Sequence, residues 1–459
     1  MFINHDYIER ILEEAKGATR EDIKSVLEKA KKRDGLSYED IAILLQAEDK
    51  EDMEEIFKLA GEIKDSIYGK RIVIFAPLYV SDYCVNNCVY CGYKRTNDFS
   101  RRKLTMEEVA EEVKILEKMG HKRLALELGE DPVNAPIDYV LECLETIYST
   151  QNDNGEIRRV NVNIAATTVE NYRKLKEAKI GTYILFQETY HNPTYDKMHP
   201  KSLKGDYNYH LTSFDRAMEA GIDDVGAGVL FGLADPKFEV LGLMMHNRHL
   251  EDKYGVGFHT ISMPRLKPAA GVTLQEFPNL VDDEMFKKLV AIIRIAVPFT
   301  GIIMSTRETE EMRRELLKYG VSQISAGSST GVGGYKEREE GNYDSIQFKT
   351  SDDRTPLEVI KSVLDDGYIP SYCTACYRRG RTGERFMKLA KSGEIQNVCE
   401  PNAITTLLEF AIDYGDNERL EKAEAVINRE KEKIKRQDIK ELLEKNLGRL
   451  RAGERDLYL

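Results

Sequence analysis

The spacing of apolar residues changes near residue 70. Before it they recur every three to four positions. Thr19-Arg-Glu-Asp22 and Ser37-Tyr-Glu-Asp40 each set a hydroxyl three residues ahead of a carboxylate, the pattern of a helix N-terminus. Helices are therefore predicted over residues 1–70. Beyond them, short β-branched runs alternate with amphipathic stretches. The predicted strands are Arg71–Ala76, Arg123–Leu128, Arg158–Ala165, Thr182–Gln187, Asp224–Phe231, Gly257–Met263, Gly301–Thr306 and Val321–Ala326. Helical segments lie between them, among them Thr105–Gly120, Val169–Lys179, Ser213–Ala220, Asp282–Ile295 and Glu308–Tyr319.

Strand–helix alternation implies a parallel α/β sheet with right-handed crossovers. Eight units over roughly 260 residues match a TIM (β/α)8 barrel, with a six-strand open barrel as the competing count. The expected organisation is an N-terminal helical region over 1–70, the barrel over 71–350 and a C-terminal extension over 351–459. The extension opens with a helix near Pro356–Asp366. It ends in a charged tail, Asn417–Leu450, that reads as an amphipathic helix packed on the body.

Composition narrows the class. The chain has 459 residues, 41% hydrophobic and 32% charged, with net charge −12. That balance argues against nucleic acid or an acidic membrane as main partner. The N-terminus lacks the basic and apolar regions of a signal peptide, and the apolar run Ile72–Val80 is too short to span a bilayer. A cytoplasmic protein is expected. Seven cysteines in such a chain favour metal or catalysis over disulfides. Cys143, alone in the predicted helix Ile137–Tyr148, reads as a small buried hydrophobe without a role.

The other six cysteines form two groups. Cys84, Cys88 and Cys91 follow the first strand as C-x3-C-x2-C. Three thiolates on a short loop can hold three corners of a 4Fe–4S cubane and leave the fourth iron open to a small molecule. A zinc knuckle competes, but its fourth ligand would have to come from outside the loop. Cys373 and Cys376 form C-x2-C, with Cys399 after 22 further residues. Here too no fourth Cys or His lies nearby, as for a second cluster with one open iron, and structural zinc is again the alternative.

The first loop, with Tyr90 just before its last cysteine, resembles that of the radical S-adenosylmethionine (SAM) enzymes. Both groups together resemble the radical SAM tyrosine lyases of FeFe-hydrogenase maturation. Leu126-Glu-Leu-Gly-Glu-Asp-Pro132, Phe186-Gln-Glu-Thr-Tyr-His191, His259-Thr-Ile-Ser-Met-Pro-Arg265 and Ser305-Thr-Arg-Glu308 share that resemblance, which covers essentially the whole chain. The tyrosine lyases of thiazole biosynthesis resemble the barrel but not the C-terminal cysteines.

The resemblance implies a complete eight-stranded barrel, two 4Fe–4S clusters and SAM. It implies cleavage of the Cα–Cβ bond of L-tyrosine to p-cresol and dehydroglycine. Carbon monoxide and cyanide for the hydrogenase active site would then form at the second cluster. A reductant such as ferredoxin or flavodoxin and other hydrogenase maturation proteins are the implied partners. Gly129 and Glu130 take the place of the motif that meets the SAM amino group, with Leu128 replacing its first glycine. Arg216 corresponds to an arginine that pairs the SAM carboxylate, and Glu188 to a ribose contact. Ser305 and Arg307 are expected to seat the substrate carboxylate. His259 corresponds to a ligand of an extra iron on the second cluster. A tyrosine lyase for thiazole synthesis and a non-catalytic iron–sulfur or zinc scaffold are the alternatives.

Three expectations concern geometry. Glu130, Glu188, His259 and Arg307 should converge with the first cysteine loop on one barrel mouth. The second cysteine group should share a cavity with that site. The glycine-rich stretch Ala326–Gly334 lacks the G-K-[ST] ending of a nucleotide P-loop and should be a flexible loop after strand eight.

Overall fold

A computed structural model describes residues 2–340 and 347–459. Residues 1 and 341–346, within the expected helical region and barrel segment, lie outside the described residues. Eight parallel strands close into a barrel: β1 (Arg71–Ser81), β2 (Arg123–Leu128), β3 (Arg159–Asn163), β4 (Tyr183–Glu188), β5 (Val225–Val229), β6 (Thr260–Ser262), β7 (Gly301–Met304) and β8 (Gln323–Ser325). Each pairs with the next, and β8 returns to β1 through Val73, Ile74 and Phe75, which excludes the open six-strand alternative. All eight predicted strands are present, because strands buried on both faces read as nearly continuous apolar runs.

A ninth strand, β9 (Ile369–Ser371), pairs in parallel with the first residues of β1, Arg71–Val73. The C-terminal extension thus joins the barrel sheet at its N-terminal end, and Cys373 comes two residues later. The helix Gln396–Tyr414 packs against β9 and carries Cys399 in its first turn. The expected single tail helix is instead two, Asn417–Lys431 and Gln437–Arg451. Both pack on Gln396–Tyr414, and the turn between them lets each bury its own apolar stripe.

Four N-terminal helices cover one side of the barrel. Thr19 and Ser37 cap two of them with full capping boxes onto Asp22 and Asp40. The helix Lys50–Tyr68 lies against the barrel helices Asp283–Ala296 and Glu310–Tyr319. One long helix, Pro236–Tyr254, has no counterpart in the sequence reading. It is buried without a break from Phe238 to Asn247, so it has little polar face for periodicity to reveal. Cys143 is fully buried in Ile137–Ser149, as expected. No helix among the described residues is long and apolar enough to cross a membrane.

Candidate active site

The first cysteine loop leaves the C-terminal end of β1 and is pinned from several sides. Asn86 donates to the Glu130 carboxylate and accepts from the Lys204 amide at 3.1 Å. The Val85 amide donates to the Glu130 carbonyl at 2.8 Å, and the Val89 amide to the Met198 carbonyl at 3.0 Å. Arg101 holds the return of the loop through the carbonyls of Asp82, Tyr93 and Lys94. Cys84, Cys88 and Cys91 are free thiols facing a cavity of about 230 Å³ at this end of the barrel.

Burial pushes all three thiols up, Cys91 to about 11. Buried thiols of this kind favour a cationic centre that would stabilise their thiolates. The Lys204 ammonium supplies one positive charge near Cys88. Among the described residues, no three Cys, His, Asp or Glu side chains gather closely enough for a single metal ion.

Several expected residues line the same cavity. The Tyr90 hydroxyl meets His199 Nε2 at 2.7 Å. Glu130, with its carboxyl pushed up by burial, faces in beside Gly129. Glu188 accepts from Lys204 Nζ at 2.6 Å, and its backbone sits at φ 67°, in the left-handed region. Such a conformation in a non-glycine residue costs on the order of 1–3 kcal/mol and recurs at functional sites. Here it follows a register shift where β4 meets β5, which turns the side chain into the cavity. Ser305 and Arg307 follow β7, and the Arg307 guanidinium lies 3.3 Å from the centre of the Phe348 ring.

Arg216 is not brought to this cavity. Its guanidinium donates to the carbonyls of Thr167, Tyr209 and Thr212 and to the Thr212 hydroxyl, at 2.7–3.2 Å. It also stacks on Tyr209, 3.9 Å from the ring centre. The helix Ser213–Glu219 turns it toward neighbouring loops, where main-chain oxygens use its donors. The Ala326–Gly334 stretch also differs from expectation. It is buried throughout, and the Thr330 carbonyl accepts from Tyr93 Oη at 2.9 Å and from the Gln347 amide at 3.0 Å.

The second cysteine group lies at the other end of the barrel. Cys373, Cys376 and Cys399 line a separate cavity of about 50 Å³ with Arg71, Arg123 and Asp224. His259 belongs here, not to the first mouth, because it precedes β6 at the strand's N-terminal end. Burial holds His259 below its ordinary value and so favours the neutral ring. Its Nε2 stands 3.9 Å from the Asp224 carboxylate.

The cradle holds many unpartnered buried polar atoms: Nε of Arg71, Arg123 and Arg381, both Asp224 carboxylate oxygens and the Thr374 hydroxyl. Cys399 is drawn down, first by a hydrogen bond with Cys376 and then by Arg71 and Arg381. Cys376, the partner in that bond, is pushed up. Thiols flanked by buried guanidinium groups fit an anionic thiolate cluster.

The two cavities share no lining residue, contrary to the expected common cavity. On four strands, however, their linings are one inward layer apart: Val73 and Phe75, Arg123 and Ala125, Gly301 and Ile303, Gln323 and Ser325. A parallel barrel brings sites to opposite ends of its strands, and here the C-terminal extension carries the second group to the N-terminal end.

Sequence reasoning overlooked Glu127. Its carboxyl lines the first cavity and accepts from Asn163 Nδ2 at 2.7 Å, and burial pushes it up to about 8. An acidic residue inside an otherwise apolar strand was the available signal.

A closed barrel with three thiols where β1 ends is the architecture of the radical SAM enzymes. Residues 78–240 match the Radical SAM superfamily, and residues 262–369 match the Biotin and Thiamin Synthesis associated domain. The superfamily match implies a 4Fe–4S cluster and SAM. The crystal structure of HydG, a maturase of the FeFe-hydrogenase, is 58% identical, with TM-score 0.97 and both chains fully covered. The HydG structure from Carboxydothermus hydrogenoformans is 38% identical with TM-score 0.83, covering 96% of this chain and 98% of that one. The 2-iminoacetate synthase of Salmonella typhimurium is 28% identical over 77% of this chain and 90% of its own length. The chain belongs to the HydG family of hydrogenase maturases.

Proposed function

We propose that this protein is a cytoplasmic radical SAM lyase that cleaves the Cα–Cβ bond of L-tyrosine to p-cresol and dehydroglycine. The fragment then yields carbon monoxide and cyanide for the FeFe-hydrogenase active site. The observation that carries this reading is the second thiol group, set in a cradle with unpartnered buried polar atoms one inward layer from the first cavity. It favours the reading over a lyase that stops at dehydroglycine.

In this proposal Cys84, Cys88 and Cys91 hold the first 4Fe–4S cluster, which when bound supplies the electron for SAM cleavage. Tyr90, Gly129, Glu130 and Glu188 bound the SAM site, and Ser305 and Arg307 hold the substrate carboxylate. Cys373, Cys376 and Cys399 hold the second cluster, with His259 beside it as ligand of an added iron. The barrel wall keeps water from the reacting groups. A reductant such as ferredoxin or flavodoxin would supply electrons, and other maturation proteins would receive the product. The partition into 1–70, 71–350 and 351–459 belongs to the same proposal, with β9 tying the last part to the barrel.

The test is anaerobic reconstitution with iron and sulfide, then dithionite, SAM and tyrosine. p-Cresol, carbon monoxide and cyanide should appear together. p-Cresol without the diatomics would turn the reading to the 2-iminoacetate synthase activity of the relatives, and absence of 5′-deoxyadenosine would end the enzyme reading.

A further inference from the structure

Glu127 and Arg307 are opposite charges, each half-buried, that line the first cavity, and neither is spent on the other. Arg307 is fixed over Phe348 and has no hydrogen bond from its guanidinium to the described protein. Glu127 has one, from Asn163. The two feel each other electrostatically but form no ion pair. Around Glu127, β1 and its loop present Tyr79 and Tyr93, β3 presents Asn163, and the segment after β7 presents Arg307. None of these facing groups is a second carboxylate.

A cation and a carboxyl that line one cavity without pairing suit a zwitterion, whose two charges are likewise held apart. We propose that Glu127 receives the ammonium group of the amino-acid substrate whose carboxylate lies on Arg307, and takes one proton from it. The inference rests on the substrate reading above and extends it to the amino group. The transfer balances as ammonium plus carboxylate giving amine plus carboxylic acid. It leaves the substrate nitrogen as a neutral amine, the form from which a hydrogen atom can be removed.

The carboxyl's upward displacement makes a binding signature available. Burial pushes the Glu127 carboxyl up to about 8, which near neutral pH favours its protonated form. Whether the bound pair is ammonium–carboxylate or amine–carboxylic acid, it carries one proton fewer than free zwitterion plus protonated Glu127. Binding of tyrosine should therefore release roughly one proton at pH 7.

The experiment is calorimetric titration of the cluster-loaded, SAM-bound protein without reductant, so that no turnover occurs. It is run in two buffers of different ionisation enthalpy. Tyrosine should release roughly one proton, whereas 3-(4-hydroxyphenyl)propanoate, which lacks only the ammonium group, should release none. Tyrosine should bind roughly ten- to a hundredfold more tightly than that analogue. In E127Q both differences should vanish while SAM still binds. Tyrosine binding without proton release, or E127Q keeping the preference, overturns the inference and leaves the substrate reading standing. No binding of tyrosine to the wild type overturns both. The wild-type comparison of the two ligands decides the matter even if E127Q does not fold.

Discussion

Gly129 stands so close to Tyr83 that a Cβ on it would lie 2.4 Å from the Tyr83 carbonyl oxygen and 3.0 Å from Cys84 Cβ. Both contacts are with the first cysteine loop, and the nearer is with its backbone, which cannot rotate away. The glycine therefore sets how closely the turn after β2 nestles against the loop that carries the thiols. Gly129→Ala should push the loop outward and cost about 1–3 kcal/mol, as overpacking does. In reconstituted protein, iron should fall by roughly four per chain if the first site alone is lost. Iron content and melting temperature check this, and full iron loading with unchanged stability would refute it.

Arg216 gives the opposite expectation. Its donors are used by main-chain oxygens of three residues, so its removal should weaken the fold without touching the cavity. At about 1 kcal/mol per hydrogen bond, Arg216→Ala should cost on the order of 2–4 kcal/mol. The apparent affinity for SAM should stay within about twofold once the protein is folded, a change below 0.5 kcal/mol. A large rise in KM for SAM at unchanged stability would restore the carboxylate-pairing role.

Cys376→Ala should separate the two ends of the barrel. Cys376 lines only the second cavity, so the variant should keep p-cresol formation and lose carbon monoxide, with roughly four irons fewer than wild type. His259→Ala should leave the four irons of a cubane in place and remove at most one further iron. Simultaneous loss of p-cresol in both variants would mean that the second site supports the fold rather than a later step.

The strand rhythm and the cysteine groups were legible because each leaves a local mark. A doubly buried parallel strand is apolar from end to end, and thiolate ligands must be cysteines. Depth along a strand leaves no such mark. His259 and Arg307 both read as strand-associated polar residues, yet one lies at the N-terminal end and the other at the C-terminal end. The same gap hid the separation of the two cavities. Pro236–Tyr254 escaped notice because burial on nearly every side removes the helical period. Arg216 lies in the right region, but where a side chain points is decided by neighbours that spacing does not name.

Glu127 also makes a stability prediction that needs no substrate. Burial raises its carboxyl from 4.5 to about 8 in the folded chain. Below pH 4.5 both folded and unfolded chains hold the proton, and its contribution to stability is fully present. As pH rises, the unfolded chain releases the proton first, while the folded chain keeps it until about pH 8. Stability is therefore lost progressively across that window, by a few kcal/mol in all, and levels off above it. Glu127→Gln retains an oxygen to accept from Asn163 but has no proton to lose. The melting temperature of the variant relative to wild type should thus rise between pH 5 and pH 8, the interval between the unfolded and folded values. Melting curves of the substrate-free protein at pH 5, 6, 7 and 8 would show it. A difference independent of pH would mean that Glu127 is already ionised in the fold, and the proton release expected on tyrosine binding would have to be abandoned with it.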